Sequence, residues 1–132
     1  SIGFELGRPG LPLADYLRSL RLMTTFADAT LLPAHGPVAG STHDRVAELP
    51  PHHALRLSDT LRALDHGGID AYAVARQLTW TRRKVPFADL DDMNQMLAVC
   101  ETVAHLDVLV SRGEAVLEDT RYHIPTRPPL AL

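Results

Sequence analysis

The tandem prolines Pro50–Pro51 constrain this chain more than any other feature. Proline has no N–H to donate, and its ring crowds the carbonyl four residues back, so two in succession argue against a helix interior. Together with the polar run that precedes them, they predict a boundary between two lobes. These are residues 1–45 and residues 52–124, with a tail over 125–132. A chain of 132 residues has room for two small lobes or for one domain.

Residues 1–12, rich in Gly and Pro, read as irregular. Pro12 suits a first helical turn, where its missing N–H costs little. From there to Phe26, Leu13, Tyr16, Leu17, Leu20 and Met23 recur at three and four and predict a helix, with Arg18 and Arg21 on its other side. Thr30–Leu31–Leu32 reads as a brief strand, and Ala34 to Gly40 as a turn-rich segment. After the prolines, a helix is expected from His52 to Asp65 on the stripe Ala54, Leu57, Leu61, Leu64, stopped by Gly67–Gly68. Asp70 reads as the N-cap of a short helix with Ala71, Val74, Ala75 and Leu78 inward. Residues 79–88 read as a connection. A long helix is expected from Leu90 to Arg112, with Met93, Leu97, Cys100 and Ala104 inward, Met96, Val103, Leu106 and Val110 beside them, and Asn94, Gln95, Ala98, Glu101, Thr102 and His105 outward. Gly113 suits its C′ position. Val116–Glu118 and Arg121–Ile124 read as a hairpin turning at Asp119–Thr120. The fold class is thus mainly α with a small β-hairpin. The order helix, helix, longer helix, hairpin is that of a winged helix-turn-helix.

Composition removes several classes. No apolar run approaches the roughly 18 residues of a membrane span. Cys100 is the only cysteine, so the chain has no internal disulfide and no Cys-based zinc site. No secretory signal is evident, and a cytoplasmic location is expected. Thirteen Lys+Arg against sixteen Asp+Glu give a net charge of −3, so nucleic-acid binding would need a local basic patch. Arg82–Arg83–Lys84 beside Trp80 is that patch, a candidate contact for RNA or single-stranded DNA, or a solvated loop with Trp80 anchored in the core. Duplex DNA is disfavoured, because Asp89, Asp91 and Asp92 crowd the start of the long helix, where phosphates would be repelled.

No GxSxG or P-loop pattern is present, and no catalytic residue is assigned. The seven histidines show no HxH, HxxxH or HExxH spacing, so no complete zinc site is encoded. His35 lies in a loop after a strand, a position that can aim a ligand and can equally leave a histidine in water. His52 and His53 open the second helix and read as surface or lobe-interface residues, and His66 as a last-turn residue of that helix.

Thr30–Leu31–Leu32–Pro33–Ala34–His35–Gly36–Pro37–Val38 resembles the last metal-binding motif of the metallo-β-lactamase-fold hydrolases, in which a strand delivers a histidine in a Pro-x-His-Gly-Pro turn. Tyr16–Leu17–Arg18–Ser19–Leu20 is similar to the helix before that strand. Leu78 to Arg83, Asn94 to Val99 and Thr102 to Leu106 resemble the winged-helix extension of one branch, which includes bacterial hydrolases and a lactamase-β-like endoribonuclease. The family binds one or two metals, usually zinc, through an HxHxDH motif, a further His, a bridging Asp and the last His. Of these, this chain carries the last, His35. The resemblance implies the remnant of an αββα sandwich followed by a winged-helix-like lobe beside the active site. The chain is then expected to be an inactive C-terminal fragment of a longer hydrolase, in keeping with its start at Ser1. Zinc would be held in the parent, with His35 a ligand there and no cofactor in the fragment. The expected partner is the missing N-terminal part. The stripe on residues 13–26, without its sheet, is expected to swap, to pack on the second lobe or to drive homo-oligomerisation.

Overall fold

The structure, a computed structural model, describes residues 10–126. The irregular reading of residues 1–9 and the tail reading of residues 127–132 lie outside them. Helix α1 (Pro12–Met23) begins with its proline in the first turn and is followed by turns closed by Thr24 N–H to the Arg21 carbonyl and Thr25 N–H to the Leu22 carbonyl. Its stripe is not left open. Leu13 is 0% exposed and Leu20 is buried, with Leu17 packed against the same core. The partners of α1 are α2 (Thr42–Arg62) and α4 (Asp92–Ser111).

Helix α2 corrects the reading of the prolines. It runs from Thr42 to Arg62 straight through Pro50–Pro51, so residues 41–51 are not a linker. Ser41 caps it, accepting the Asp44 N–H on Oγ at 3.1 Å, and Asp44 adds favourable charge in the first turn. Each proline removes one helical hydrogen bond. Burial of Val46 before the pair and of Leu57 after it holds both halves against the protein, and this tertiary gain outweighs the local cost.

Asp70 closes a two-residue strand β1 (Ile69–Asp70) and caps α3 (Ala71–Gln77), its Oδ1 accepting the Ala73 N–H at 2.8 Å. The expected connection over 79–88 holds a hairpin, β2 (Thr79–Trp80) against β3 (Val85–Pro86), and one 3₁₀ turn at Phe87–Asp89. Thr81 and Lys84 take φ of 64° and 54° in the hairpin turn. The expected final hairpin is present as β4 (Val116–Glu118) and β5 (Arg121–His123), with Leu117 opposite Tyr122. Strand β1 adds to its other edge, Ile69 opposite Tyr122, making a sheet in the order β1-β5-β4. The expected strand at 30–32 is reduced to a single antiparallel bridge between Leu31 and Ala39.

Helix α4 begins where expected, with Asp91 Oδ1 accepting the Asn94 N–H at 2.8 Å, and ends before Gly113, whose φ is +75°. Ala104 and Leu106 are buried as expected, but the rest of the inward face is rotated from the expected one. Ala98, Thr102, His105 and Leu109 are buried, whereas Met93 and Met96 are exposed and Cys100 is half-buried. The helix is apolar on much of its circumference, so periodicity fixes its existence and not its facing. It packs against α1, α2 and α3, and Ala98 lies in the shared core. The core joins Leu13, Leu57, Val74, Trp80, Phe87, Leu106, Leu109 and Tyr122.

Candidate functional site

The predicted site residues fall into two places. His35 lies in the loop between α1 and α2, exposed, one residue before Gly36 at φ +91°. The loop is pinned at its base. Leu31 N–H donates to the Ala39 carbonyl at 2.8 Å, and Ala39 N–H returns to Leu31 at 3.1 Å. Behind that bridge, Asp28 acts as a clamp. Its carboxylate accepts the Ser41 hydroxyl, the His43 N–H at 3.0 Å and the Ala29 N–H at 2.9 Å. These bonds, the Ser41 hydroxyl first, hold its pKa below the usual carboxylate value. The Ala29 carbonyl accepts both the Thr42 N–H and its hydroxyl, and the Phe26 carbonyl accepts the His43 ring N–H. His35 is thus presented outward from a short loop with a fixed base.

Among the described residues, no three His, Cys, Asp or Glu side chains come together in a way that could hold a metal ion. His35 is a single donor, and the residues present do not by themselves make a metal centre.

The second place is a cleft of about 560 Å³ between the middle of α2, the β2–β3 hairpin and α4. His52, His53, His105, Trp80 and Arg82 all line it, while Arg83 and Lys84 do not. His105 is 5% exposed, against the expectation of an outward position. Its Nδ1 faces the Glu101 carbonyl at 2.7 Å, and because a carbonyl only accepts, that nitrogen carries the hydrogen. Nε2 is then a buried lone pair with no hydrogen bond among the described residues, and Nδ1 of His53 is likewise buried without a partner. The two rings stack at 5.8 Å, with Tyr16 of α1 and His52 each edge-on to His53 at 5.5 Å. Burial, then the charges of His105 and His52, pushes His53 down to about 4. Burial likewise lowers His105, so both rings are neutral near pH 7.

Trp80 is 8% exposed and donates its indole N–H to the Ala75 carbonyl at 2.9 Å. The Arg56 guanidinium lies over its ring, 4.1 Å from the centroid, and donates to the Thr79 carbonyl at 2.7 Å. The indole is an anchor covered by an arginine, not the open stacking platform that base binding requires. Arg82, Arg83 and Lys84 are exposed in the hairpin turn.

Arg45 and Arg56 also line the cleft, and the sequence reading missed both. The signal was present. Once α2 is one helix, Arg45, Leu49, His52 and Arg56 fall at steps of four, three and four on a single face. The tandem prolines concealed that register.

No family model matches the chain. It is similar to the probable metallo-hydrolase YqjP of Bacillus subtilis (strain 168), at 31% identity over 98 residues, which are 74% of this chain and 28% of that protein. Among solved structures it is similar to a beta-lactamase domain protein from Burkholderia ambifaria, with a TM-score of 0.72 and 31% identity over 88% of this chain and 34% of the other. It is also similar to a metallo-beta-lactamase family protein from Thermus thermophilus, with a TM-score of 0.69 and 26% identity over 87% of this chain and 34% of the other. The homologues and structural neighbours of this chain are metallo-β-lactamase-fold proteins, and the chain spans about a third of their length.

Proposed function

We propose that this chain is the C-terminal part of a metal-dependent hydrolase of the metallo-β-lactamase fold, and that His35 supplies one metal ligand to the complete protein. The observation that carries this reading is the match itself, which extends over 88% of this chain but 34% of a metallo-β-lactamase-fold neighbour. The presentation of His35 supports it, because a ligand delivered from a pinned loop keeps its aim. The exposed apolar side chains support it too. Leu22, Met23, Phe26, Leu32 and Val38 are all exposed on the segment that carries His35. An apolar face of this kind calls for a cover, and the rest of the parent protein would provide it.

In this reading the metal, zinc in most of the family, is shared between His35 and donors outside this chain, and it would supply a bound water of lowered pKa. The part from α2 to β5 is a winged-helix-like lobe standing beside the active site, where it shapes access to it. The substrate class is open, since one fold serves many chemistries.

The test is hydrolysis of thioester, lactam and RNA substrates by the longer protein and by its His35→Ala variant. The proposal expects turnover of one substrate class by the longer protein and loss of at least a hundredfold with His35→Ala. Full turnover by the variant, or by the 132-residue chain alone, would overturn it.

A further inference from the structure

The cleft between α2, the β2–β3 hairpin and α4 plays no part in the metal reading, and its chemistry stands apart from it. Three arginines line it from two elements: Arg45 and Arg56 from α2 and Arg82 from the hairpin turn. Against them stand two carboxylates, Glu48 and Glu101, of which Glu48 is held by Arg45 at 2.9 Å. With His53 and His105 neutral, the lining carries a net positive charge inside a chain of net −3. The Arg56 guanidinium is half-buried and fixed in place by the Trp80 ring and the Thr79 carbonyl, so it is already oriented before any ligand arrives. That preorganisation lowers the entropy cost of using its remaining N–H donors.

We propose that this cleft binds the phosphate group of a small phosphorylated molecule. Arginine forks match phosphate oxygens, and a group with three or four oxygens can engage more than one guanidinium where a carboxylate offers two oxygens. The volume, about 560 Å³, lies in the range of small-molecule sites. A nucleic-acid strand is the poorer occupant. Two of the three residues in the basic run, Arg83 and Lys84, do not line the cleft, and the indole that would stack a base is buried beneath Arg56. The inference does not rest on the hydrolase reading and survives or fails without it.

The experiment is calorimetric titration of the 132-residue chain with pyrophosphate, repeated with acetate and with a single-stranded RNA oligomer. The expected result is saturable pyrophosphate binding at one site, weakened about tenfold by Arg45→Gln and by Arg82→Gln, as for loss of a charge-assisted hydrogen bond. Arg83→Gln, one residue along the same turn but outside the cleft, should change affinity less than twofold. Both cleft variants lie at exposed positions, so retained circular dichroism and melting temperature separate lost binding from lost folding. Absence of saturable binding would overturn the proposal. So would equal weakening by Arg82→Gln and Arg83→Gln, which would mark a diffuse basic turn, or RNA binding tighter than pyrophosphate and sensitive to Arg83→Gln.

Discussion

Between Phe26 and Ser41 the chain is held by polar atoms, and between Leu57 and Tyr122 it is held by apolar ones. In the first stretch Asp28 gathers Ala29, Ser41 and His43, and the Leu31–Ala39 bridge closes the loop, while Leu32 is 77% exposed. In the second, Val74, Leu106 and Leu109 are buried almost completely, and each helix turns an apolar face inward. Helix α1 belongs to both, its Leu13 sunk in the common core and its Leu22 and Met23 outside it. The contrast shows that a segment can be well ordered without burying its own apolar side chains. Its shape comes from backbone bonds and a carboxylate clamp, and its apolar side chains stay exposed.

The sharpest way to break this contrast is by truncation. Leu106→Ala and Leu13→Ala, both at fully buried positions, should each cost about 2–5 kcal/mol in urea unfolding. Leu32→Ala should fall within about 0.5 kcal/mol of the parent sequence. A large loss from Leu32→Ala would mean that the loop has an apolar anchor of its own.

Acid should act next, and on the buried side first. His53 sits near 4 in the fold against 6.5 for the free side chain, and His105 is also depressed by burial. The unfolded chain therefore takes up protons first. The stability they protect is fully present above pH 6.5 and is lost as the pH falls towards 4. Asp28, held low by its hydrogen bonds, protects stability above its ordinary value of 3.8 and loses it only at lower pH. Melting temperatures measured from about pH 7 to about pH 4.5 should fall, and a His53→Gln, His105→Gln double variant should flatten the curve. An unchanged slope in that variant would remove the histidine pair as the cause.

Smaller effects separate the two kinds of polar anchor. Asp70→Ala and Asp91→Ala each remove a helix cap and should cost about 1 kcal/mol of global stability. Asp28→Ala should instead accelerate amide exchange locally, at Leu31 and Ala39, and leave Leu106 protected. Equal acceleration at all three would show that the loop and the core open together.

Much of this fold is readable in the residues. Asp70, Asp91, Gly113 and the Val116–His123 hairpin stand where their local chemistry puts them, because caps, C′ glycines and hairpin turns act over a few residues. What was not readable depends on distant packing. Pro50–Pro51 obey the local rule against helix interiors, yet burial on both sides carries α2 through them. Helix α4 is apolar nearly all round, so only its neighbours decide that Ala98 and His105 face inward while Met93 and Met96 face out. The same two errors hid the cleft, since Arg45 and Arg56 share a face only on an unbroken α2, and His105 reaches the cleft only on the true face of α4. The loop of His35 was legible from the Gly and Pro residues between Pro33 and Gly40, whereas its Asp28 clamp, built from residues on both sides of the loop, was not.

The most direct test of the account is the metal content of the longer protein, purified and dialysed, beside its His35→Ala variant and a His66→Ala control. The account predicts bound metal in the parent and in the control, and a loss of one metal ion or more per chain with His35→Ala. Metal retained in full by the His35→Ala variant would contradict it.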